Sequence, residues 1–377
     1  MTKYRFDQIA RECRETYSGN YKDIPIVGLE HIIPNEMLLS DCDKNVETTF
    51  TKSFKKGQIL FGRRRAYQRK ACVATFDGIC SGDITVIEAI EGTVSPKLLP
   101  FIIQSDDFFE HAIKGSNGAL SPRVKWEHMS NFEIELPSIS EQKLLADKLW
   151  AAYELKRSYQ DMIKATDEMV KSQFIEMFGN PLSSIQKNEL KRLGDCCHIN
   201  PRRSNVSLNE NDLVSFVPMP AVNENGYIDG ATDEEYGKVK KGFTYFENDD
   251  VLFAKITPCM ENGKGAVAEG LTNGIGMGST EFHILRPIKG ISNPYWLLAL
   301  TRMPIFRERA AKNMSGTGGQ RRVGSAFLEK FMVGLPSISE QDTFEAIYKQ
   351  ADKSKFELKK AIEAIDKVIK SLINENL

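Results

Sequence analysis

The sequence predicts an α+β chain. Two similar, strand-rich mixed α/β globules are separated by two long helices that pair as an antiparallel coiled coil, the whole forming a pseudo-two-fold internal repeat. Three observations predict it. The heptapeptide Leu136-Pro137-Ser138-Ile139-Ser140-Glu141-Gln142 recurs as Leu335-Pro336-Ser337-Ile338-Ser339-Glu340-Gln341, 199 residues later and roughly half the chain away, a distance that signals duplication. Each copy reads as a helix start, because Ser138 and Ser337 stand three residues before Glu141 and Glu340, the spacing of a capping box. A long helical pattern follows each copy. The order is therefore globule, helix, globule, helix.

Residues 1–137 form the first globule. Ile24–Val27, Gln58–Phe61, Cys72–Phe76 and Ile84–Ile87 are β-branched or aromatic runs bounded by Gly, Asp and Lys, as strands are. Ser95-Pro96 suits an N-cap followed by Pro at the first helical position, with the apolar residues of Leu98–Phe109 on a packed helix. A polar, Gly-containing loop covers Lys114–Arg123, and Phe132–Leu136 alternates as a closing strand. Residues 138–181 make the first long helix. Leu155, Tyr159, Met162, Thr166, Met169 and Gln173 step by four and three as a seam, and Gly179 with Pro181 stops it. Roughly 40 helical residues span about 60 Å, more than one globule needs. Residues 182–336 repeat the first globule's landmarks. Val251-Leu252-Phe253 answers Ile59-Leu60-Phe61, Thr280–Leu285 answers Gly82–Ile87, Asn293-Pro294 answers Ser95-Pro96, and Ser315–Arg322 answers Ser116–Arg123. Residues 337–377 repeat the helix, with Leu358, Ile362, Ile365, Ile369 and Leu372 as an aliphatic seam whose natural partner is the first helix.

Composition excludes several classes. The 41% hydrophobic and 27% charged content is that of an ordinary globular chain. No apolar run is long enough to span a bilayer, and Met1–Phe6 lacks a signal-peptide core, so the expectation is a cytoplasmic protein with no membrane partner. Seven scattered Cys without Cys-x-x-Cys spacing fit a reducing compartment. A net charge of −1 argues against coating nucleic acid by bulk charge and leaves room for local basic patches.

Candidate chemistry is weighed against plainer readings. Cys196-Cys197-His198 has no second ligand pair at finger spacing, so no metal is expected. Asn293-Pro294-Tyr295-Trp296 is similar to the Asn-Pro-Pro-Tyr motif of amino-methyltransferases, but N-cap plus Pro explains it and its counterpart Ser95-Pro96 equally. Gly274-Ile275-Gly276-Met277-Gly278 precedes a strand, whereas a phosphate-cradling loop follows one. With no nucleophile motif or cofactor fingerprint, the chain is expected to be non-catalytic.

The basic clusters carry more. Arg63, Arg64, Arg65, Arg69 and Lys70 surround Tyr67. Lys238, Lys240 and Lys241 precede Phe243, Arg202 and Arg203 lie near the start of the second globule, and Lys255 follows an apolar strand. Arg123 (with Lys125) and Arg321-Arg322 flank the matched loops. A solvated surface explains most charge runs. Two similar globules, each with basic loops, favour DNA contacts, since these side chains reach phosphates and guanidinium groups hold guanine edges.

Taken together, the doubled Leu-Pro-Ser-Ile-Ser-Glu-Gln, Met177-Phe-Gly-Asn-Pro181, Ser315-Gly-Thr-Gly-Gly-Gln-Arg-Arg322 and Asp250-Val-Leu-Phe-Ala-Lys-Ile-Thr-Pro258 resemble the specificity (S) subunits of Type I restriction–modification systems. The resemblance covers essentially the whole chain; Ser116–Ser121 matches the glycine loop only loosely. It implies a non-catalytic subunit with two target recognition domains, each reading half of a split sequence in double-stranded DNA. It implies helices that set the gap and dock two copies of a methyltransferase (M) subunit, with restriction (R) subunits as further partners. No cofactor is expected in this chain; S-adenosylmethionine would sit in the M subunit. The competing readings are a coiled-coil scaffold that binds proteins, and a self-sufficient methyltransferase that would itself bind S-adenosylmethionine.

Overall fold

The computed structural model describes residues 1–179, 190–203, 206–317 and 319–377. Asn180 and Pro181 of the expected helix stop, and Gly318 of the glycine loop, lie outside them. The chain forms two compact units, Met1–Asp161 with Leu358–Leu377, and Met162–Glu357.

In the first unit the elements run β1 (Thr2–Arg5), α1 (Phe6–Ile9), β2 (Ala10–Cys13), β3 (Ile26–Val27), β4 (Lys52–Phe54), β5 (Ile59–Gly62), β6 (Ala71–Val73), β7 (Gly78–Cys80), β8 (Ile84–Ala89), α2 (Leu99–Gln104), α3 (Asp106–Lys114), α4 (Trp126–Met129) and β9 (Glu133–Leu136), followed by the first part of α5 (Ile139–Phe178). A four-stranded sheet has the order β2-β8-β5-β6, a three-stranded one β3-β7-β4, and β1 pairs with β9. Strand β5 is apolar throughout because both of its faces are covered. Ile59 and Phe61 enter a core with Phe108 and Phe109, while Leu60 faces Val27, Phe54 and Val86. Alternation of side chains across a strand gives one short run to two cores.

The second unit contains the rest of α5, then β10 (Leu190–Arg192), α6 (Leu193–Cys196), β11 (Cys197–Ile199), β12 (Leu213–Val217), β13 (Thr232–Glu235), α7 (Tyr236–Val239), β14 (Thr244–Glu247), β15 (Val251–Ala254), β16 (Gly265–Val267), β17 (Ile275–Gly278), β18 (Phe282–Pro287), α8 (Pro294–Arg302), α9 (Pro304–Lys312), β19 (Met314–Ser315), β20 (Arg322–Val323), α10 (Ser325–Lys330), β21 (Met332–Gly334) and the start of α11 (Ile338–Asn376). Its sheets are β11-β18-β15-β16, β13-β12-β17-β14, β10-β21 and β19-β20. Position for position, β2, β8, β5 and β6 answer β11, β18, β15 and β16. The parallel pair β3–β7 answers the parallel pair β12–β17. Central strand β15 again serves two cores, Val251 and Phe253 on one side, Leu252 and Ala254 on the other.

The repeated heptapeptide does the same mechanical work in both units. Ser138 N–H donates to Glu141 Oε2 (3.0 Å), and Glu141 N–H donates to Ser138 Oγ (3.4 Å). Ser337 and Glu340 repeat the box at 2.9 and 3.4 Å. The following Gln is fully buried and acts as a bracket. Gln142 Oε1 accepts from Ser95 N–H (2.9 Å) and its amide donates to Pro137 O (2.9 Å) and Thr93 O (3.4 Å). Gln341 Oε1 accepts from Asn293 N–H (2.9 Å) and its amide donates to Ile291 O (2.9 Å) and Pro336 O (3.0 Å). Each bracket ties a long helix to the segment that opens the apolar helix pair of its globule, so the sequence identity has a structural cause.

Three expectations differ from the structure. The single helix over Leu98–Phe109 is two helices, because Ser105 is extended and its Oγ caps α3 by accepting from Phe108 N–H (3.2 Å). Ser95-Pro96 starts a turn ahead of α2 rather than its first helical residue, whereas Asn293 does cap α8, accepting from Tyr295 N–H (2.9 Å) with Pro294 at the first position. The predicted α5 seam is also displaced: Leu155, Met162 and Met169 are about half exposed. The buried face runs through Leu145, Leu149 and Tyr153 in the first unit and Val170, Phe174 and Phe178 in the second. The helix packs on its own globule as well as on a second helix, and that broader contact selects a different face from a two-helix seam. Within the first unit, Lys156 pairs with Asp366 (2.7 Å), and Leu149 and Tyr153 share a core with Ile369, Leu372 and Ile373. Within the second, Lys355 pairs with Asp167 (2.7 Å) and Phe344 meets Phe174 and Phe178. In each unit the two helical segments therefore run antiparallel.

Candidate nucleic-acid interface

In each unit three loops converge beside the end of the central strand. In the first, the loop after β5 begins Arg63-Arg64-Arg65, the turn before β8 holds Asp83, and the segment before α4 holds Asn117–Arg123. Arg63 N–H donates to Asp83 O (2.9 Å), Val124 N–H to Arg63 O (3.0 Å) and Arg65 N–H to Pro122 O (2.7 Å). Arg123 grips the Asp83 carboxylate with two nitrogens (2.7 and 3.2 Å), Arg64 lies 3.6 Å from it, and Arg64 Nη2 donates to Ser121 Oγ (3.1 Å). These hydrogen bonds hold Asp83 ionised below the usual carboxylate range, against the effect of its partial burial. The Nε atoms of Arg63, Arg64 and Arg65 are buried without an acceptor. Leu120 (90% exposed) and Tyr67 (56%) stand out at this edge. Arg65 and Arg69 both adopt left-handed backbone (φ 54° and 53°), which folds the loop tightly around Ala66–Gln68.

In the second unit, Lys255 N–H donates to Glu281 O (2.9 Å), Val323 N–H to Lys255 O (2.9 Å) and Thr257 N–H to Arg321 O (3.0 Å). Arg322 holds the Glu281 carboxylate through Nε (2.9 Å) and Nη2 (2.7 Å), which lowers the pKa of Glu281. The frame is the same, bond for bond. The residues that follow its first position differ: Arg64-Arg65 in one unit, Ile256-Thr257 in the other.

The frame gathers Arg63, Arg64, Arg65 and Arg123 in one unit and Lys255, Arg321 and Arg322 in the other. Remaining basic residues fall elsewhere. Arg69 reaches Asn35 Oδ1 (3.1 Å), Gln104 O (3.0 Å) and Asp106 (3.0 Å) and lies over the Phe109 ring, while Lys70 donates to Leu29 O (2.5 Å). Both are spent on the inside of their loop. Arg203 stacks over Tyr236 (5.1 Å) and Tyr245 (5.5 Å), beside exposed Arg202. Lys238 pairs with Glu235 (3.2 Å) and Lys240 with Glu210, leaving exposed Lys241 next to half-exposed Phe243. Arg321 also reaches Glu261 (3.1 Å).

Sequence reasoning missed the two acids. The signal is the alignment of Gly82-Asp83-Ile84 with Thr280-Glu281-Phe282, which puts a carboxylate at the same place in both globules. The other motifs resolve structurally. Asn293 is a helix cap whose amide also donates to Asp342 (3.0 Å) and Glu345. The Cys196 and Cys197 thiols donate to Arg192 O and Leu193 O (3.4 Å each), and burial pushes Cys196 up to about 11 and Cys197 higher. Glu30, His31 and Asp43 come together, but Gly28 N–H donates to His31 Nδ1 (2.9 Å). The neutral ring then carries its proton on Nε2, facing Asp43 (3.5 Å), and has no lone pair there for a metal. Among the described residues, no helix is long and apolar enough to cross a membrane.

The chain is 42% identical over 147 residues to the Type I restriction enzyme EcoAI specificity subunit of Escherichia coli, and 39% identical over 152 residues to the EcoEI specificity subunit of the same organism. These matches cover 38% and 40% of this chain, and only 24% and 25% of those relatives. In fold it is similar to the Type-I restriction-modification system S subunit from M. genitalium (TM-score 0.58, 13% identity, 98% of this chain and 95% of that one). It is also similar to a chain from a structure addressing complex assembly and conformational transition of the type I R-M system (TM-score 0.56, 18% identity, 100% and 97%). The family model for the Type I restriction modification DNA specificity domain matches twice, at residues 13–161 and 185–366, one match per globule. By that double match, which takes in most of the sequence, the chain belongs to the Type I restriction modification DNA specificity domain family.

Proposed function

We propose that this chain is the sequence-reading subunit of a DNA adenine methyltransferase and restriction complex, and that its two units read the two halves of a bipartite site in double-stranded DNA. The observation that carries this reading is the loop frame built twice with different side chains around it. One architecture presenting two surfaces suits two half-sites of different sequence. Arg63, Arg64, Arg65 and Tyr67 in the first unit, and Lys255, Arg321 and the Arg202–Arg203 segment in the second, supply the cationic and stacking groups. The run of guanidinium groups at Arg63–Arg65 suits a ligand as rich in acceptors as DNA. Near-neutral net charge is tolerable where partner subunits share the phosphate contacts.

In this reading α5 and α11 form one antiparallel coiled coil that relates the globules by a pseudo-two-fold and fixes the gap between half-sites. The globules are residues 1–137 and 182–336, and the helices are residues 138–181 and 337–377. The helices dock two M subunits, which bring S-adenosylmethionine and flip the adenine, and R subunits join that assembly. The chain itself supplies no catalytic group and works in the cytoplasm.

Modified-base sequencing of the host genome, with the gene present and deleted, tests this. Loss of methylation at one bipartite motif on deletion is the expected result. An unchanged methylome in a strain that expresses the assembled complex would overturn it and leave the protein-binding scaffold. Within the complex, replacing Arg63, Arg64 and Arg65 together by Ala should abolish selection of one half-site and spare the other.

A further inference from the structure

An acid inside a DNA-facing loop cluster is costly, because it repels the phosphates that the neighbouring cations attract. Both units nevertheless keep one, Asp83 and Glu281, at the same place in the frame. In both, the carboxylate takes two nitrogens of an arginine from the third loop. At Glu281 the remaining nitrogen of Arg322 is also engaged, Nη1 donating to Gln320 O (3.3 Å). An arginine held in this way has its Nε–Nη2 edge filled and cannot present that edge to a guanine or a phosphate. Its backbone is what carries the adjoining loop: Arg123 is bridged to Arg64, and Arg322 to Ile256.

We infer that Asp83 and Glu281 are positioning residues for DNA reading. Each uses its clasped arginine, Arg123 or Arg322, to hold the reading loops of its own unit in register, and neither arginine is itself a DNA contact. The base-reading positions are then residues of the same loops outside the carboxylate clasp, Arg65 and Leu120 in the first unit and Thr257 and Arg321 in the second, where Arg321 also meets Glu261 (3.1 Å). This rests on the DNA-reading function proposed above.

The opposed signs of two effects make the inference testable. Glu281→Gln removes a negative charge, so a protein whose Arg322 touches phosphate should bind DNA as well or better, with half-site preference unchanged. A clasp predicts the reverse for specificity. In the full complex with its methyltransferase partners, E281Q should relax the second unit's half-site on the order of tenfold, about one mismatched base pair, and leave the first half-site intact. Asp83→Asn should do the mirror image. Glu281→Asp and Asp83→Glu, which keep the charge, should restore much of the preference. The readout is again modified-base sequencing, scored separately for each half-site. Unchanged preference in E281Q and D83N, or equal loss at both half-sites, would overturn the clasp. A wild-type complex that methylates no bipartite motif would instead overturn the functional reading, and the positioning role with it. Retention of the opposite half-site in each variant shows that the chain has folded and assembled.

Discussion

Replacing Gln341 by Leu tests the idea that the repeated heptapeptide is a structural bracket. Gln341 is completely buried and satisfies Asn293 N–H, Pro336 O and Ile291 O. Leucine has a similar volume, so the change removes hydrogen bonds while leaving little cavity. Asn293 and Pro336 are buried and would be left unpaired, whereas Ile291 is more than a third exposed and its carbonyl can turn to water. Two stranded groups at about 1–3 kcal/mol each, less a fraction regained by burying an apolar side chain, give a loss of about 3 kcal/mol. The assay is urea unfolding of the full chain. Trp126 and Trp150 lie in the first unit and Trp296 in the second, so a W126F/W150F background makes Trp296 the sole reporter of the unit concerned. With a urea slope of about 2 kcal/mol/M, the midpoint of the Trp296 transition should fall by about 1.5 M. A shift below about 0.3 M would refute the bracket and return the heptapeptide identity to a functional cause, such as contact with a partner.

Further outcomes follow from two buried titratable groups in the second unit. Lys355 (4% exposed) lies 2.7 Å from Asp167 and 3.0 Å from Asp352 and over the Tyr227 ring. Lys355→Met should cost about 2–3 kcal/mol, since it removes the cation from Asp167 and leaves Asp352 with the Tyr227 hydroxyl (2.5 Å); a loss under about 0.5 kcal/mol by urea unfolding would count against it. Burial opposes the charge on Lys355, yet its carboxylate partners raise its pKa on balance. That stabilisation is present below the unfolded value of about 10.4 and should disappear as pH climbs through the higher folded value. His283 behaves oppositely. It sits between Asn200 (2.9 Å) and Val323 O (2.8 Å), and burial lowers its pKa. Below about pH 6.5 the unfolded chain takes up a proton that the folded one refuses, so this unit should lose stability as pH falls. His283→Gln should flatten that part of a melting-temperature profile taken between about pH 7.5 and 5, and an unchanged slope would contradict it.

Much of this molecule follows from local chemistry that any sequence displays. The apolar runs at Ile59 and Val251 are strands because β-branched and aromatic residues pack on two faces. The Ser-x-x-Glu spacing starts a helix because the side chains satisfy the first free backbone amides. Duplication made both readings more secure, since each appears twice. Other features were settled only by contacts between residues distant in sequence. The buried face of α5 is one, because the helix must cover its own globule as well as a second helix, and periodicity alone does not weigh the two. The break at Ser105 is another, where a side-chain cap competes with continuing the helix. The sorting of the basic residues is the clearest case. Arg64 and Arg69 look alike in a list of charges, yet one stands in the three-loop frame and the other is folded inward over Phe109. Whether an arginine meets a carboxylate, a carbonyl or solvent depends on which loops arrive beside it, and only the tertiary structure decides that.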